Sequence, residues 1–450
     1  MGRLFGTDGV RGIANTELTC ELALNIGRAA ARVLAKDGRR RPIFVLGTDT
    51  RASSEMLDAA LCAGLCSVGA DVIRLGVIST PAVAYLVGKY KADAGVMVSA
   101  SHNPAEFNGI KLFSGDGYKL PDELEDEIER LVTESEPFAT PVGGEVGRVS
   151  MAVQAEKDYI DHLKSTVPVV PSGLRVAVDC ANGAASATAV RLLSELGCEV
   201  SVLFDKPNGV NINEGCGSTH PEALSAYVTE HALDLGIAFD GDADRCLCVD
   251  HTGTVVDGDE MMAICALDMR ERGKLTANTV VGTVLTNFGF VKFCEQQGMQ
   301  FIATKVGDRY VLEELLLGEF SFGGEQSGHI IFRDFATTGD GQLTAVQLLS
   351  YLKRCGKSLY ELKQVMKRYP QYSVNVRVSA EGKRAFYTNS AVKAAVERAK
   401  EALSDGGRVV VRPSGTEPLV RVMAEGDDEE AVRAQAEAVA AVLREQLQGD

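Results

Sequence analysis

The chain has 450 residues, about three times the ~150 residues of a typical domain, so several cores are expected rather than one. Its 45% hydrophobic and 24% charged residues and a mean hydropathy of +0.01 match globular proteins and exclude a largely disordered chain. With 46 Lys plus Arg against 62 Asp plus Glu, the formal charge of -16 disfavours nucleic acid and anionic membrane as partners.

Met1 to Arg11 has no apolar core of the kind a secretory signal needs, and no apolar run reaches the ~18 residues of a membrane span, so a cytoplasmic location is expected. The 11 cysteines are scattered, odd in number and without a CxxC, which reads as reduced packing thiols rather than a disulfide framework or a zinc site. Val- and Ile-rich runs alternate with amphipathic stretches, and that alternation predicts α/β layers with mixed, largely parallel sheets. Strands are expected at 42–48, 71–75 and 95–98, with a helix at 53–69 capped by Ser53. A Pro-, Gly- and Glu-rich stretch through Glu136, Pro137, Pro141 and Gly144 precedes a boundary near Ser150. Helical spacing resumes at 154–163, a strand follows at 174–179, a helix at 186–196 and a strand at 235–239. A third unit has a strand at 279–284 and helices at 290–297 and 311–317. The last has strands at 408–411 and 419–424 and a terminal helix at 428–447, whose early acids suit the helix dipole. The expected domains are 1–150, 151–251, 252–370 and 371–450.

Four segments carry chemistry. In Ala94-Gly-Val-Met-Val-Ser-Ala-Ser101-His-Asn-Pro104 a buried strand runs into a turn and leaves Ser101 at the strand's C-terminal edge, where open α/β sheets bind ligands. Ser101 is a candidate nucleophile or phosphoryl carrier, with Lys111 as nearby charge; a turn serine that bonds its own backbone is the plain alternative. In Leu235-Gly-Ile-Ala-Phe-Asp240-Gly-Asp242-Ala-Asp244-Arg245 three carboxylates at alternate positions close an apolar strand, and they repel one another unless a cation sits between them. Hard oxygen ligands favour Mg²⁺ or Ca²⁺. Arg245 and His251 stand where an EF-hand requires Gly and Glu, which leaves Mg²⁺, with a solvated acidic turn as the alternative.

Gly323-Gly-Glu325-Gln-Ser327-Gly-His329 offers an acceptor and a donor suited to sugar hydroxyls, or is simply a Gly-rich hairpin. Arg412-Pro-Ser414-Gly415-Thr416-Glu-Pro418 packs a guanidinium, two hydroxyls and a glycine amide into one loop, the composition of a phosphate cradle, although a hairpin turn also satisfies it. Gly6-Thr-Asp-Gly-Val-Arg11-Gly12 is a weaker candidate anion loop, with Arg11 as the useful charge.

One such segment per expected domain, in this order, resembles the α-D-phosphohexomutases over the whole chain, and Ser99-Ala-Ser101-His-Asn-Pro104, Asn211-Ile-Asn213 and Cys216-Gly-Ser-Thr-His220 add to the likeness. The resemblance implies three similar α/β domains and a smaller C-terminal α+β domain around a central cleft. It implies Ser101 as the phosphoserine and Mg²⁺ on Asp240, Asp242, Asp244 and a phosphoserine oxygen. Lys111 and His329 match proton-transfer or substrate-contact positions, Arg11 and Arg245 sit where the transferring group needs charge, and Glu325 with Ser327 matches the sugar-binding pair. Arg412, Ser414, Gly415 and Thr416 would hold the phosphate that is not being transferred. The substrate is then a small sugar phosphate, with a hexose or glucosamine 1,6-bisphosphate as intermediate and activator, and a homodimer is expected. The resemblance implies glucosamine 6-phosphate as the sugar, and a cationic 2-amino group suits a cleft carrying Glu325 and the three aspartates; glucose and mannose phosphates are the alternatives. A non-catalytic sugar-phosphate binder is the reading from another class, opposed by the intact Ser101 and the three aspartates.

Overall fold

The structure, a computed structural model, describes residues 4–6, 8–35, 41–134, 138–403, 406–414 and 418–447. Glu136 and Pro137 of the expected boundary, and Gly415 and Thr416 of the expected phosphate loop, lie outside the described residues. The chain groups into two compact units, residues 1–281 with 307–363 and residues 282–306 with 364–450.

In the first unit, β1 (Val10–Ile13), β2 (Ile43–Thr48), β3 (Asp71–Val77), β4 (Ala94–Val98), β5 (Phe107–Ser114) and β6 (Val149–Met151) form one sheet in the order β1-β5-β4-β2-β3-β6. The β4-β2-β3-β6 part is parallel, and β5 pairs antiparallel with both β4 and β1. β4 is buried at all five positions, which is why it reads in sequence as a continuous small and apolar run rather than an alternating one. The expected helix at 53–69 is Ala52–Ser67, and Ser53 is not its cap. Arg51 holds that position without a side-chain cap bond, and Ser53 Oγ accepts instead from Asn108 Nδ2 at 2.9 Å.

A second sheet contains β7 (Arg175–Asp179), β8 (Glu199–Leu203), β9 (Leu235–Phe239), β10 (Cys246–Asp250) and β11 (Val255–Val256) in the order β11-β10-β9-β7-β8, parallel from β9 to β8 and antiparallel at β10. The single helix expected at 186–196 is split into a 3₁₀ turn at Ala184–Ala187 and a helix at Ala189–Glu195. The break falls at Thr188, whose Oγ1 accepts from the buried Gln342 Nε2 at 2.8 Å. Farther along, β12 (Thr279–Thr283) pairs parallel, at Val281, with Gly323. β13 (Gln300–Thr304) belongs to the second unit, and β14 (Phe322–Gly324) pairs antiparallel with β15 (Ile330–Phe332). One plan recurs. In each α/β layer a motif loop joins a strand to the antiparallel strand bonded beside it: β4 to β5, β9 to β10, β14 to β15.

The second unit ends in β16 (Gln371–Arg377), β17 (Gly407–Pro413) and β18 (Leu419–Gly426), an antiparallel sheet in the order β16-β18-β17. Helices Ser390–Leu403 and Glu429–Leu447 pack Val392, Ala399, Val439 and Leu443 into one core with Val376, Val420 and Val422 of this sheet. Among the described residues no helix is long and apolar enough to cross a membrane.

Candidate active site

β4 delivers Ser99, Ala100 and Ser101 into a tight turn in which Ser101 is buried and takes a left-handed φ of +53°. Its Oγ donates to Asp240 Oδ2 at 2.5 Å and lies 3.3 Å from His102 Nδ1. β9 ends at Phe239, so the next residues, Asp240 to Asp244, are presented at the strand's C-terminal edge, with Ala243 turning the loop at φ +56°. All three aspartates are buried, and one oxygen from each lies within 4.8 Å of the others. Gly241 lets this loop rest on the serine turn, since a Cβ there would stand 2.4 Å from the Ser101 carbonyl oxygen.

The charges around this contact come from the neighbouring strands. On β5, Lys111 is paired with Met97 of β4, and its buried ammonium donates to Asp242 Oδ2 at 2.7 Å, with Asp8 Oδ2 at 2.9 Å and Asp244 Oδ2 at 3.5 Å. Burial opposes its charge, but Asp242, Asp8 and Asp244 outweigh that and hold Lys111 protonated far above the usual lysine range. Arg11 on β1 donates to the Ala100 carbonyl at 3.5 Å and pairs with Asp8. Arg245 donates its backbone N–H to Asp240 Oδ1 at 3.1 Å, and its Nη1 lies 3.1 Å from His102 Nδ1. Burial, with Arg245 and Arg11 nearby, lowers the His102 pKa to about 4, so this imidazole is neutral at physiological pH.

His329 is buried at the end of the β14–β15 loop. Its Nε2 accepts from the Gly339 N–H at 3.1 Å, and its two ring nitrogens lie 3.7 Å from Asp244 and 3.5 Å from Asp308. Burial lowers its proton affinity, yet Asp244 and Asp308 raise it overall above the ordinary histidine value. Glu325 Oε1 accepts from the Gly307 N–H at 3.0 Å, while burial raises its carboxyl above the usual range. The segment is the hairpin that its glycines also allowed, closed by Glu325 N–H to His329 O at 3.0 Å, and Ser327 Oγ is buried in it without a hydrogen-bond partner. Gly328, at φ +87°, abuts β10, where a Cβ would meet the Cys246 carbonyl oxygen at 2.1 Å.

In the second unit, Arg412 faces Arg421 across the β17–β18 pair, and burial together with Arg421 lowers its pKa. Ser414 is buried and donates its N–H to the Leu419 carbonyl at 2.8 Å.

Sequence reasoning passed over several participants. Asp8, inside the loop read as an anion site, is instead a carboxylate shared by Lys111 and Lys119; burial opposes its ionisation, but both lysines and Arg11 hold it well below the usual range. Lys119 bridges Asp8, at 2.6 Å, to Asp308. Pairs this far apart in the chain leave no local pattern, and Asp308 has no signal beyond its place at the start of helix Asp308–Leu317.

The aspartate triad fits a divalent cation. Asp242 gives Oδ2 to Lys111 and to Thr80 Oγ1, at 2.5 Å, which leaves Oδ1 buried with no hydrogen bond, and Asp244 Oδ1 is likewise without one. Burial, Asp244 and Asp242 push the Asp240 carboxyl well above its usual range, as expected of clustered carboxylates. Hard oxygen atoms in such a cluster suit a cation of the Mg²⁺ class.

Four sequence profiles match the chain, described as phosphoglucomutase/phosphomannomutase α/β/α domain I over residues 2–138, domain II over 157–253, domain III over 257–369 and the C-terminal domain over 374–442. The chain is 53% identical over 447 residues to phosphoglucosamine mutase of Caldanaerobacter subterraneus subsp. tengcongensis, a match covering 99% of this chain and 100% of that one. Its fold resembles a phosphoglucomutase/phosphomannomutase family protein from Burkholderia thailandensis, with a TM-score of 0.85 at 23% identity over 99% and 97% of the two chains. It also resembles N-acetylphosphoglucosamine mutase of Aspergillus fumigatus, solved in complex with GlcNAc-6P and magnesium, with a TM-score of 0.70 at 18% identity over 98% and 96%. The chain therefore belongs to the phosphoglucomutase/phosphomannomutase family of the α-D-phosphohexomutase superfamily, with its three α/β/α domains and C-terminal domain.

Proposed function

We propose that the chain interconverts glucosamine 6-phosphate and glucosamine 1-phosphate through a phosphoserine at Ser101 and a glucosamine 1,6-bisphosphate intermediate. The observation that carries this reading is the buried Ser101 hydroxyl, 2.5 Å from an aspartate triad ringed by Lys111, Arg11 and Arg245, in a chain 53% identical to a phosphoglucosamine mutase. In the first half-reaction the bond from phosphorus to Ser101 Oγ breaks as one forms to O1 or O6 of the sugar, and the sugar hydroxyl's proton passes to the enzyme. The bisphosphate reorients, and the reverse step returns the other phosphoryl to Ser101, so none is lost to water. Such transfers need positioning and charge more than covalent chemistry.

Lys111, held charged, serves as fixed positive charge beside the transferring group. Arg11 and Arg245 face the transferring group, and His329 takes part in proton transfer or contacts the sugar. Glu325 and Ser327 bind sugar hydroxyls or the amino group, and the unpartnered Ser327 Oγ is free to do so. Arg412, Ser414, Gly415 and Thr416 take the phosphate that is not being transferred. Mg²⁺, held by Asp240, Asp242, Asp244 and a phosphoserine oxygen, would offset the charge that develops on the phosphoryl group. On this reading the functional loops fall one to each of the domains 1–150, 151–251, 252–370 and 371–450, in a cytoplasmic homodimer.

The test is turnover of glucosamine, glucose and mannose 6-phosphates side by side, using protein loaded with phosphate and checked by intact mass and peptide mapping. The expected result is phosphate on Ser101 and the highest kcat/KM for the amino sugar. Equal or better turnover of glucose or mannose 6-phosphate would move the assignment to those sugars.

A further inference from the structure

Ser101 occupies a left-handed backbone conformation that disfavours any residue but glycine and persists only where its surroundings over-determine it. Its own side chain cannot provide that hold throughout a catalytic cycle. The hydrogen on Oγ that now bonds Asp240 is replaced by phosphorus whenever Ser101 is a phosphate ester, so that contact is lost in every phosphorylated state. Contacts made by the backbone persist in both.

Those contacts converge on two carbonyls. Ser101 O accepts from Arg51 Nη2 at 2.9 Å and from Asn213 Nδ2 at 2.9 Å; the same two side chains donate to Asn103 O at 2.8 Å and 3.1 Å. The Arg51 guanidinium is wholly buried, also donates to the Pro104 carbonyl, and is anchored through Nε on Asp49 Oδ2 at 2.9 Å. The same Asp49 oxygen accepts from Ser99 Oγ at 2.6 Å, and Ser99 Oγ in turn accepts the Ser101 N–H at 3.0 Å. Asn213 reaches in from the layer that carries the aspartate loop. It is buried, sits at φ +60°, and its Nδ2 would be 2.9 Å from a Cβ on Gly241. One amide therefore touches both the serine turn and the aspartate turn.

We propose that Arg51 and Asn213 are positioning residues, a two-sided clamp on the Ser101 and Asn103 carbonyls that keeps Oγ against the Asp240 loop whether or not it bears a phosphoryl group. The inference rests on Ser101 being the phosphoryl carrier. Neither side chain touches the reacting atoms, so the clamp acts on kcat and leaves substrate binding alone.

Asn213→Gly is the informative variant, because glycine accepts the left-handed φ that alanine would strain. In full-length protein loaded with glucose 1,6-bisphosphate, it removes the bonds to both carbonyls and should lower kcat about fivefold or more, with KM unchanged within about twofold. The ³¹P resonance of the phosphoserine should shift or double as the turn samples a second conformation. Asn213→Asp, which sets a carboxylate against two carbonyl oxygens, should lose more than Asn213→Gly at a similar Tm. Arg51→Lys, whose single ammonium cannot span three carbonyls and Asp49, should also lower kcat. Unchanged kcat and an unchanged ³¹P signal in Asn213→Gly, or a lower Tm with kcat intact, overturns the clamp. Wild-type protein that turns over without phosphate on Ser101 overturns the carrier reading instead.

Discussion

Replacing Lys111 with Met keeps the aliphatic stem and removes only the ammonium, so it isolates what that charge does. The ammonium is 2% exposed and faces Asp242, Asp8 and Asp244 at 2.7, 2.9 and 3.5 Å. At an effective dielectric constant of about 20 each of these pairs is worth roughly 5–6 kcal/mol of gross attraction. Desolvating the ammonium offsets much of that, and removing one partner of a buried pair costs a net ~3–5 kcal/mol because the remaining carboxylates stay buried and unpaired. At the 2–4 °C per kcal/mol typical of 150–250-residue domains, Tm should fall by roughly 6–20 °C. The assay is thermal unfolding of metal-stripped protein with and without added Mg²⁺. A divalent cation at the triad supplies part of the missing charge, so Mg²⁺ should raise the Tm of Lys111→Met more than that of wild type. A fall of less than about 2 °C, which corresponds to under 1 kcal/mol, would show that Lys111 is not the counter-ion of these carboxylates. An equal response to Mg²⁺ in both proteins would show that ammonium and metal are not coupled.

Asp242→Asn removes an anionic ligand without changing shape, and it should lower turnover about 100-fold or more, the scale of losing one preorganised electrostatic contact, while raising the Mg²⁺ concentration needed for half-maximal activity; full activity in metal-free wild type would remove the triad from the reaction. Asp179 predicts a pH effect on stability. Burial raises its carboxyl from 3.8 to about 6, against the N–H groups of Ala181 and Gly217, so between pH 4 and 6 the native state binds the extra proton and stability falls as pH rises through that window, then levels off. Asp179→Asn lacks this titration, and the stability of wild type relative to it should therefore drop by roughly 2–2.5 kcal/mol between pH 4 and 7, because each tenfold change in proton affinity is worth about 1.36 kcal/mol and the unfolded carboxyl is already partly ionised at pH 4. Denaturant unfolding at the two pH values measures it, and a constant difference between the two proteins would contradict the raised affinity of the Asp179 carboxyl for its proton.

The parallel core of the first unit was legible because it is buried on both faces. β4 and β9 read as short apolar runs, and each ends where a chemically active turn begins, so Ser101 and the three aspartates could be singled out without a structure. The antiparallel strands beside them could not be seen. β5 carries Asn108 and Lys111 buried among apolar neighbours, which breaks the expected pattern of a strand with one solvated face. Ser53 has the position of a cap in sequence but not in the fold, because Asp49, two residues before Arg51, captures the Arg51 N–H at 3.0 Å and the Ser54 hydroxyl at 2.8 Å, giving the helix entry a different bonding scheme from a simple serine cap. Asn211-Ile-Asn213 was recognisable as a pattern, but its bond to a carbonyl more than a hundred positions away in the chain has no local signature.

The antiparallel strands also explain how a chain of net charge -16 gathers cations around Ser101 and the aspartate triad. Turns at the C-terminal ends of β4 and β9 supply the serine and the carboxylates, whereas the cations arrive on the strands bonded alongside: Arg11 on β1, Lys111 on β5 and Arg245 at the foot of β10. Strand register therefore sets the local charge. Lys111 lies opposite Met97, with Ser101 four residues beyond on the same chain segment, and side chains alternate between faces along β5. A slip of one residue would send the ammonium to the other face, leaving Asp8, Asp242 and Asp244 buried without it. Both β1 and β4 bond to β5, pinning it from two sides; this fixes Lys111 and Arg11 before any ligand arrives, as a site that stabilises developing charge requires.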